Sequence, residues 1–477
     1  MFATGAVFEV IHIFPWINIV IIEFYRLGFP KTLSITIATL VSTAPLLSSA
    51  KTQSLQSDFA AGQQLNLMIE TALANDTSRA QYAAQSKAMR ETAVASATLM
   101  DPKLKVGFGG LPVDSFEFDQ DPMTNVSLGL MQQFERGSTL DLNRQGANQK
   151  ADGVAYQIKV REREVANSIT QLWLELGYLQ YTASLIHKNQ KLMQEMERYV
   201  QTNYSIGKSE AQDLLNTQIQ VGKLDEKLQL NRQKQNRLIA QLSEWLGADW
   251  QTEGLLNSVD YQLPWTQLES ILSNAGSQSQ YYPLLNQHPL VQVAESNISV
   301  NRTQVEVAEQ AFTPQFGVEV MYAYRQANNM MGEPASDLVS AYLTMDIPLF
   351  TGNRQDKNLA AAQYQVGASQ YQKDTLLAQM SAQVSALLND RTNMTERIER
   401  YQERLLPQAK ARIEAVERGY QNNTTEFGDV ITASTDELAL KIELTRLITD
   451  FNQTNSQLAS LLGGFEYQVT APSAKYQ

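Results

Sequence analysis

Between Ala147 and Val200 the apolar residues Ile158, Val165, Ile169, Leu172, Leu176, Leu179, Ala183, Ile186, Met193, Met196 and Val200 follow one another at spacings of seven, four or three. That is a sustained heptad seam, and it predicts a coiled-coil helix. Gln, Asn, Glu, Lys and Arg fill the positions between, as solvated faces require. The long helical arms run from about 146 to 203 and from about 353 to 419, the second rich in Ala and Gln. Shorter helical patterns follow them at about 214–246 and 430–462, and others precede the strand segments at about 60–99 and 285–312. At ~1.5 Å per residue each long arm spans roughly 85–100 Å. A short arm stacked end to end on the preceding helix matches one long arm in length. The expected unit is a rod of paired antiparallel helices.

In four places the period drops to two. Leu104, Val106 and Phe108 alternate with Lys103, Lys105 and Gly107; Val126, Leu128 and Leu130 alternate with Ser127, Gly129 and Met131. Further on, Phe316, Val318, Val320, Tyr322 and Tyr324 alternate with Gln315, Gly317, Glu319, Met321 and Ala323. Val339, Ala341, Leu343, Met345 and Ile347 alternate with Ser340, Tyr342, Thr344 and Asp346. Two strand pairs are predicted. Strands of about ten residues, apolar on one side and polar on the other, suit an outer-membrane barrel. A half-buried soluble sheet has the same period. Four strands cannot close a barrel around a channel, and lipid does not tolerate open edges, so spanning strands must be pooled from several chains. Pro102 and Pro314 stand where helix gives way to strand. The polar loops 111–125 and 326–337 are expected to face outside.

The pattern is written twice. Tyr204-Ser-Ile-Gly207 with Asp213-Leu-Leu recurs as Tyr420-Gln-Asn-Asn423 with Asp429-Val-Ile, 216 positions later. Phe134 and Phe350, and Leu246-Gly247 and Leu462-Gly463, keep that offset, while Pro102 and Pro314 differ by 212. A duplicated unit of helix, two strands, long helix, turn and helix points to a conduit rather than a catalyst. The expected divisions are a signal peptide at 1–50 (with an overlong N-terminus), a first repeat at 51–247, a linker or equatorial belt at 248–284, a second repeat at 285–463 and a tail at 464–477.

Composition narrows the function. The 477 residues carry a formal charge of −12, which repels phosphate and argues against nucleic acid as partner. The absence of cysteine removes disulfides, thiolate metal sites and an N-terminal lipidated Cys. Arg26 and Lys31 precede an apolar run, Leu33–Leu47, that ends at Ser48-Ser49-Ala50, the order of an export signal cleaved near Ala50. Upstream, 6–24 contains Glu9, Pro15 and Glu23 and makes a poor membrane span. No phosphate-cradling Gly-rich loop, HExxH or GxSxG occurs, so no enzyme site and no cofactor is expected.

An export signal followed by two copies of helix, strand pair and coiled hairpin resembles the TolC family of outer-membrane efflux channels, over about Gln63–Gly463. The loop Leu111-Pro-Val-Asp-Ser-Phe-Glu-Phe-Asp-Gln-Asp-Pro-Met-Thr-Asn125, with Gln133-Phe-Glu-Arg-Gly137, is similar to the heavy-metal branch typified by CzcC and CusC. The resemblance implies a fold that is mostly α with membrane β. It implies a homotrimer, with a 12-stranded β-barrel on a 12-helix coiled-coil α-barrel reaching into the periplasm from outer-membrane lipid. It implies two further partners, a periplasmic adaptor (membrane fusion protein) and an inner-membrane RND pump. The expected cargo is metal cations or small toxic compounds. Drug or multidrug efflux, a type I secretion duct, or a soluble periplasmic coiled-coil scaffold or adaptor are the alternatives.

The hairpin tips are the candidate site. A tight reversal between long helices needs left-handed backbone, which Gly207 and Asn422-Asn423 tolerate. In the family such tips form the periplasmic mouth and meet the adaptor. Tyr204, Gly207 and Asp213 match its pattern in the first copy, and Tyr420 and Asp429 in the second, where Asn423 replaces the usual Gly. Thr425 and Thr432 stand where some members place a latching Arg and a second Asp, so the latch does not carry over. Three copies of Asp429, with Asp213, would ring the mouth with carboxylates and favour cations; equally, both Asp residues suit helix N-caps. His187 and His288 are expected to be structural, and Met330-Met331 to lie in a plain outer loop. The acidic stretch 114–121 either attracts cations or stays solvated.

Overall fold

The computed structural model describes residues 49–247, 259–274, 281–422 and 424–472. The chain divides into two compact units, Met1–Thr52 and Gln53–Gln477, and the second carries both strand pairs and both long helical arms. The expected export signal, 1–50, lies outside the described residues apart from the backbone of its last two positions.

Helix α1 (Ser49–Asn75) is followed by α2 (Thr77–Ser96), strands β1 (Lys103–Gly109) and β2 (Asn125–Gln133), then α3 (Thr139–Ser205) and α4 (Ala211–Leu246). Two short helices, α5 (Thr266–Asn274) and α6 (Tyr281–Asn286), lead to α7 (Pro289–Gln310), β3 (Gln315–Tyr324) and β4 (Leu338–Asp346). The second long arm is α8 (Gln355–Arg400), a single π turn (Tyr401–Leu405) and α9 (Leu406–Gln421), and α10 (Phe427–Leu462) returns. Thr139 and Gln355 open the long arms, Ser205 and Gln421 end them, and each pair is 216 apart. Both returning helices have 36 residues. The π turn has a clear cause: Pro407 lacks the N–H for an i→i−4 bond and crowds Glu403, and a wider turn relieves both.

The short arms do stack on the preceding helices. The end of α4 (Leu242, Leu246) meets α1 (Met68, Ile69, Leu73) against Val165, Ile169 and Trp173 of α3, all buried in one cluster. Asn75 Nδ2 donates to the carbonyl of Trp245 across the joint, at 3.4 Å. In the second copy the end of α10 (Leu458, Leu462) meets α6 and α7 (Leu285, Val291) against Leu377, Val384 and Leu387 of α8. This second joint is polar at its rim. His288 caps α7, its Nδ1 accepting from the Leu290 amide at 3.1 Å, while its Nε2 lies 3.2 Å from the Ser460 carbonyl. Arg163 donates to the same carbonyl at 3.1 Å. His288 is therefore structural, as expected.

The segment 259–274 and the residues after Gly463 lie at the level of these joints. Val259 and Leu263 pack on the first cluster and Trp265 on the second, and Phe465 touches both. Trp265 Nε1 donates to Asn452 Oδ1 at 2.8 Å. These contacts suit a belt at mid-height of the rods; residues 248–258 and 275–280 of that expected belt lie outside the described residues.

The four strands form one antiparallel sheet in the order β1-β2-β3-β4. Each hairpin is local, but β2 pairs with β3 across the two copies, Val126 opposite Tyr324 and Gln133 opposite Gly317. This register brings the alternating apolar positions to one face: Leu104, Leu130, Val320 and Ala341 form one row, and Val106, Leu128, Tyr322 and Val339 the next.

Candidate functional site

Two regions carry functional geometry, the sheet and the hairpin tips. In the sheet the usual arrangement is inverted. Leu104, Val106, Phe108, Leu128, Leu130 and Tyr322 are all exposed. The positions between them on β2 and β3, such as Gly129, Gly317, Glu319 and Ala323, are buried or half-buried. No element of the described chain covers the apolar face. A soluble sheet would bury that face within the chain, whereas a lipid-facing band leaves it bare, as it is here. The shielded face is polar: Lys105 Nζ pairs with Glu319 Oε2 at 2.7 Å, and Thr344 Oγ1 donates to the Gly317 carbonyl at 3.2 Å. At the base of the sheet Arg136 pairs with Asp346 and donates to the Thr313 carbonyl at 2.7 Å, tying the end of β2 to the second copy. β1 and β4 have no further strand partner among the described residues.

At the other end of the rods, the first tip turns as expected. Gly207 has φ +75° and open space around it, and its amide donates to the Tyr204 carbonyl at 3.0 Å. Tyr204 itself is exposed. The second tip is described only in part. Asn422 has φ −92°, so it is not left-handed. Asn423 lies outside the described residues. The Thr424 amide donates to the Gly419 carbonyl at 2.8 Å, as the Lys208 amide does to the Asn203 carbonyl in the first tip, and Thr425 Oγ1 adds a bond to the Val416 carbonyl at 3.0 Å. A Cβ on Gly419 would lie 2.7 Å from Thr425 Cγ2, so only glycine fits beneath that threonine. Gly419 and Thr424 are tip residues that the repeat pattern does not single out; a glycine just before Tyr420 is the signal that points to them.

Asp213 and Asp429 are not N-caps. Glu210 and Glu426 hold those positions, and both aspartates sit at the third helical residue. In the second copy the pair forms a capping box, with the Glu426 amide donating to Asp429 Oδ2 at 3.3 Å. In the first, the Glu210 side chain makes no capping bond. The structure ties Asp213 to the second tip: Tyr420 hydrogen-bonds Ser209, and its hydroxyl is held above its ordinary pKa by burial, with the charges of Tyr199 and Asp213 adding to the effect. The Tyr420 and Phe427 rings stand 5.5 Å apart, Phe427 being buried among Val200, Leu224 and Ile431. Asp429 is exposed, and Thr432 spends its hydroxyl on the Gly428 carbonyl. The tips of the two copies are thus one packed unit with an acidic, solvated edge.

Among the described residues no group of three or more His, Asp or Glu side chains is placed to hold a metal ion. His187 is exposed and lines an open groove with Gln190 and Asp225, whose side chains bond each other. Met330 and Met331 are fully exposed in the β3–β4 loop. No described helix is long and apolar enough to cross a membrane.

Comparison with known proteins agrees with this geometry. Residues 281–464 match the family described as Outer membrane efflux protein. No curated protein matches the chain by sequence. Among solved structures, the outer membrane protein VceC from Vibrio cholerae superposes with a TM-score of 0.67 at 16% identity, over 85% of this chain and 97% of that one. The Campylobacter jejuni CmeC outer membrane channel gives 0.65 at 12% identity, over 94% and 96%. CusC, solved in a study of folding and transmembrane channel formation, gives 0.66 at 15% identity, over 84% and 92%. Residues 281–464 thus carry an outer membrane efflux protein domain, and the chain shares the fold of these outer-membrane channels, as the likeness to the TolC family read from the residues implies.

Proposed function

We propose that the protein is one third of a trimeric duct. Three four-stranded sheets close a 12-stranded barrel in outer-membrane lipid, and the paired rods, two repeats at 51–247 and 285–463, line a tunnel into the periplasm. A periplasmic adaptor meets the tips, and an inner-membrane RND pump drives export of metal cations or small toxic compounds. The observation that carries this reading is the sheet: its apolar face is bare, its polar face is shielded along the two central strands, and both edges are open among the described residues. Lipid accepts the first only if further chains close the last. Asp429, with Asp213, places negative charge at the acidic edge of the tips, and a carboxylate ring there supports passage of cations over anions.

The test is extraction and conductance. The exported chain should leave the envelope only with detergent, run as a heat-sensitive oligomer and open cation-preferring single channels in a planar bilayer. Full recovery as a water-soluble periplasmic monomer would overturn the duct and favour the scaffold reading.

A further inference from the structure

The junction between copies inside one chain is a template for the junction between chains. β2 ends the first copy's sheet and β3 begins the second's. In a ring of identical chains β4 meets β1 of the next subunit, and the duplication makes the β2–β3 pairing the guide to that seam. On that basis, which rests on the trimeric reading, we propose the register of the subunit seam: Met345 opposite Phe108 of the partner subunit, Ile347 opposite the partner subunit's Val106, and Leu349 opposite the partner subunit's Leu104.

The observed strand pairing fixes these partners. Lys103 faces Met131, and its counterpart Gln315 faces Asp346. First strands therefore correspond at 212 positions and second strands at 215. The intrachain seam pairs Leu130 with Val320 and Gln132 with Val318, and the Phe134 amide donates to the Phe316 carbonyl at 2.9 Å. Shifting each second-strand residue by 215 and each first-strand residue back by 212 gives the three seam pairs.

Hydrogen-bond parity supports the result independently. Peptide groups in an antiparallel strand point alternately to its two neighbours. The Phe134–Phe316 bond fixes the alternation across the sheet. It leaves the peptide groups of Leu104, Val106 and Phe108 aimed at the free edge of β1 and those of Leu343 and Met345 at the free edge of β4; continuing the same alternation past the end of β4 adds Ile347 and Leu349. The proposed pairs unite these sets, and all six paired side chains fall on the apolar face. The sequence offset of 216 alone would shift the register by one, oppose edge-facing to inward-facing groups and send the apolar positions to the wrong side. Pro348 falls where no seam bond is needed, which is where a strand tolerates proline. In the single chain the Leu349 amide bonds the Ile347 carbonyl at 3.0 Å; in the ring it turns to the carbonyl of Leu104 of the partner subunit.

Charge at the base fits the same register. Inside the chain Arg136 reaches the Thr313 carbonyl. The first-copy counterpart of Thr313, at 212 positions, is Asp101. Arg354 stands near the counterpart of Arg136, and both Arg354 and Asp101 are exposed and make no ion pair among the described residues. The seam sets Arg354 beside Asp101 of the partner subunit.

The chain has no cysteine, so paired cysteines read the register directly. The proposal places Thr344 opposite Gly109 of the partner subunit in a non-hydrogen-bonded pair, with Cα atoms about 4.5 Å apart. Gly109 and Gly107 accept a Cβ without conflict. T344C/G109C should oxidise to a covalently closed oligomer at least about tenfold faster than T344C/G107C or D346C/G109C, whose partners a two-residue slip leaves roughly 8 Å apart, beyond disulfide reach. The intrachain pair S127C/A323C, opposite each other in the structure, confirms that the oxidant reaches this face. D101R should weaken the oligomer, and D101R/R354D should restore it. Preferential linkage of either slipped pair within an intact oligomer overturns the register and leaves the duct standing. A monomer by mass with no linkage in any pair overturns both.

Discussion

Lys105 Nζ lies 2.7 Å from Glu319 Oε2, although β2 runs between the strands that carry them. The bridge is possible because Gly129, directly opposite Lys105, puts no side chain in its path. Both groups lie on the polar face, Lys105 half in water and Glu319 largely shielded. A pair so placed contributes less than ~1 kcal/mol. A double-mutant cycle of Lys105→Met and Glu319→Gln, read as the midpoint of heat-induced dissociation, should give a coupling within that limit. In the proposed barrel the same two charges face the lumen, so Glu319→Gln should lower the preference for cations while leaving the oligomer intact.

The two faces of β2 give a sharper contrast. Leu128 belongs to the bare apolar face, and Ser127, its neighbour, to the polar one. An arginine facing lipid near the bilayer midplane costs about 2–4 kcal/mol, and one facing a wet lumen costs little. Leu128→Arg should sharply reduce the oligomer recovered from membranes, and Ser127→Arg should not. Equal tolerance of both, measured by detergent extraction and gel mobility without heating, would remove the lipid-facing assignment.

The seam between copies also runs through the rods. Arg446 of α10 donates to Glu175 of α3 at 2.5 Å, to Asp450 on its own helix and to Gln453 Oε1 at 3.1 Å, and its guanidinium lies 5.0 Å from the centre of the Tyr178 ring. The planar fork makes all these contacts at once, which a lysine cannot. Arg446→Ala leaves two half-buried carboxylates without their cation and should destabilise by about 1–3 kcal/mol. Arg446→Lys should recover less than half of that loss, as thermal or denaturant midpoints would show.

His288 gives the rods a pH dependence. Burial, reinforced by the nearby positive charge of Arg163, lowers its pKa to about 4, against an ordinary value of 6.5. The unfolded chain therefore takes up the proton first. The contribution of neutral His288 is complete above pH 6.5 and is lost as the pH falls from there through 4. Allowing for the solvent contact the ring retains, the loss is on the order of 1–2 kcal/mol. His288→Asn keeps a capping acceptor for α7 and should flatten the pH dependence in that window. An unaltered slope between pH 6.5 and 4 would assign it to other groups.

The rods and strands are legible in the sequence because each obeys one period over many residues. The heptad from Ile158 to Val200 and the alternation from Phe316 to Tyr324 are long enough to outweigh any single exception. The turn chemistry is not legible in the same way. Asn422 is not left-handed, and although the bond from Thr424 to Gly419 is the ordinary helix-end bond that Lys208 makes to Asn203 in the first tip, nothing in the residues announces that Thr425 folds back over Gly419. Asp213 and Asp429 read as caps although the true N-caps, Glu210 and Glu426, stand three residues earlier, because Glu is a weaker capping signal than Asp and attracts no notice. The one-residue difference between strand and helix offsets is equally invisible in the residues. It is absorbed between Asp346 and Gln355, and only the strand pairing reveals it.

Asp429 has two roles that a conservative pair of substitutions can separate. Its side chain accepts the Glu426 amide and so completes the capping box of α10. In the proposed trimer it also contributes one charge to a ring at the mouth. Asn keeps an acceptor at that position and removes the charge; Ala removes both. Losing the box costs α10 about 1 kcal/mol. Asp429→Ala should therefore lower the midpoint of heat-induced dissociation, and Asp429→Asn should not. Charged rings set ion preference through electrostatics at close range, and three carboxylates bind a trivalent cation far better than three amides. Block of single-channel current from the periplasmic side by a trivalent cation should weaken about tenfold or more in both variants, which corresponds to ~1.4 kcal/mol or more of lost binding. If Asp429→Asn leaves the block unchanged while Asp429→Ala loosens the fold, the residue is a helix cap alone and the selective ring lies elsewhere in the tunnel.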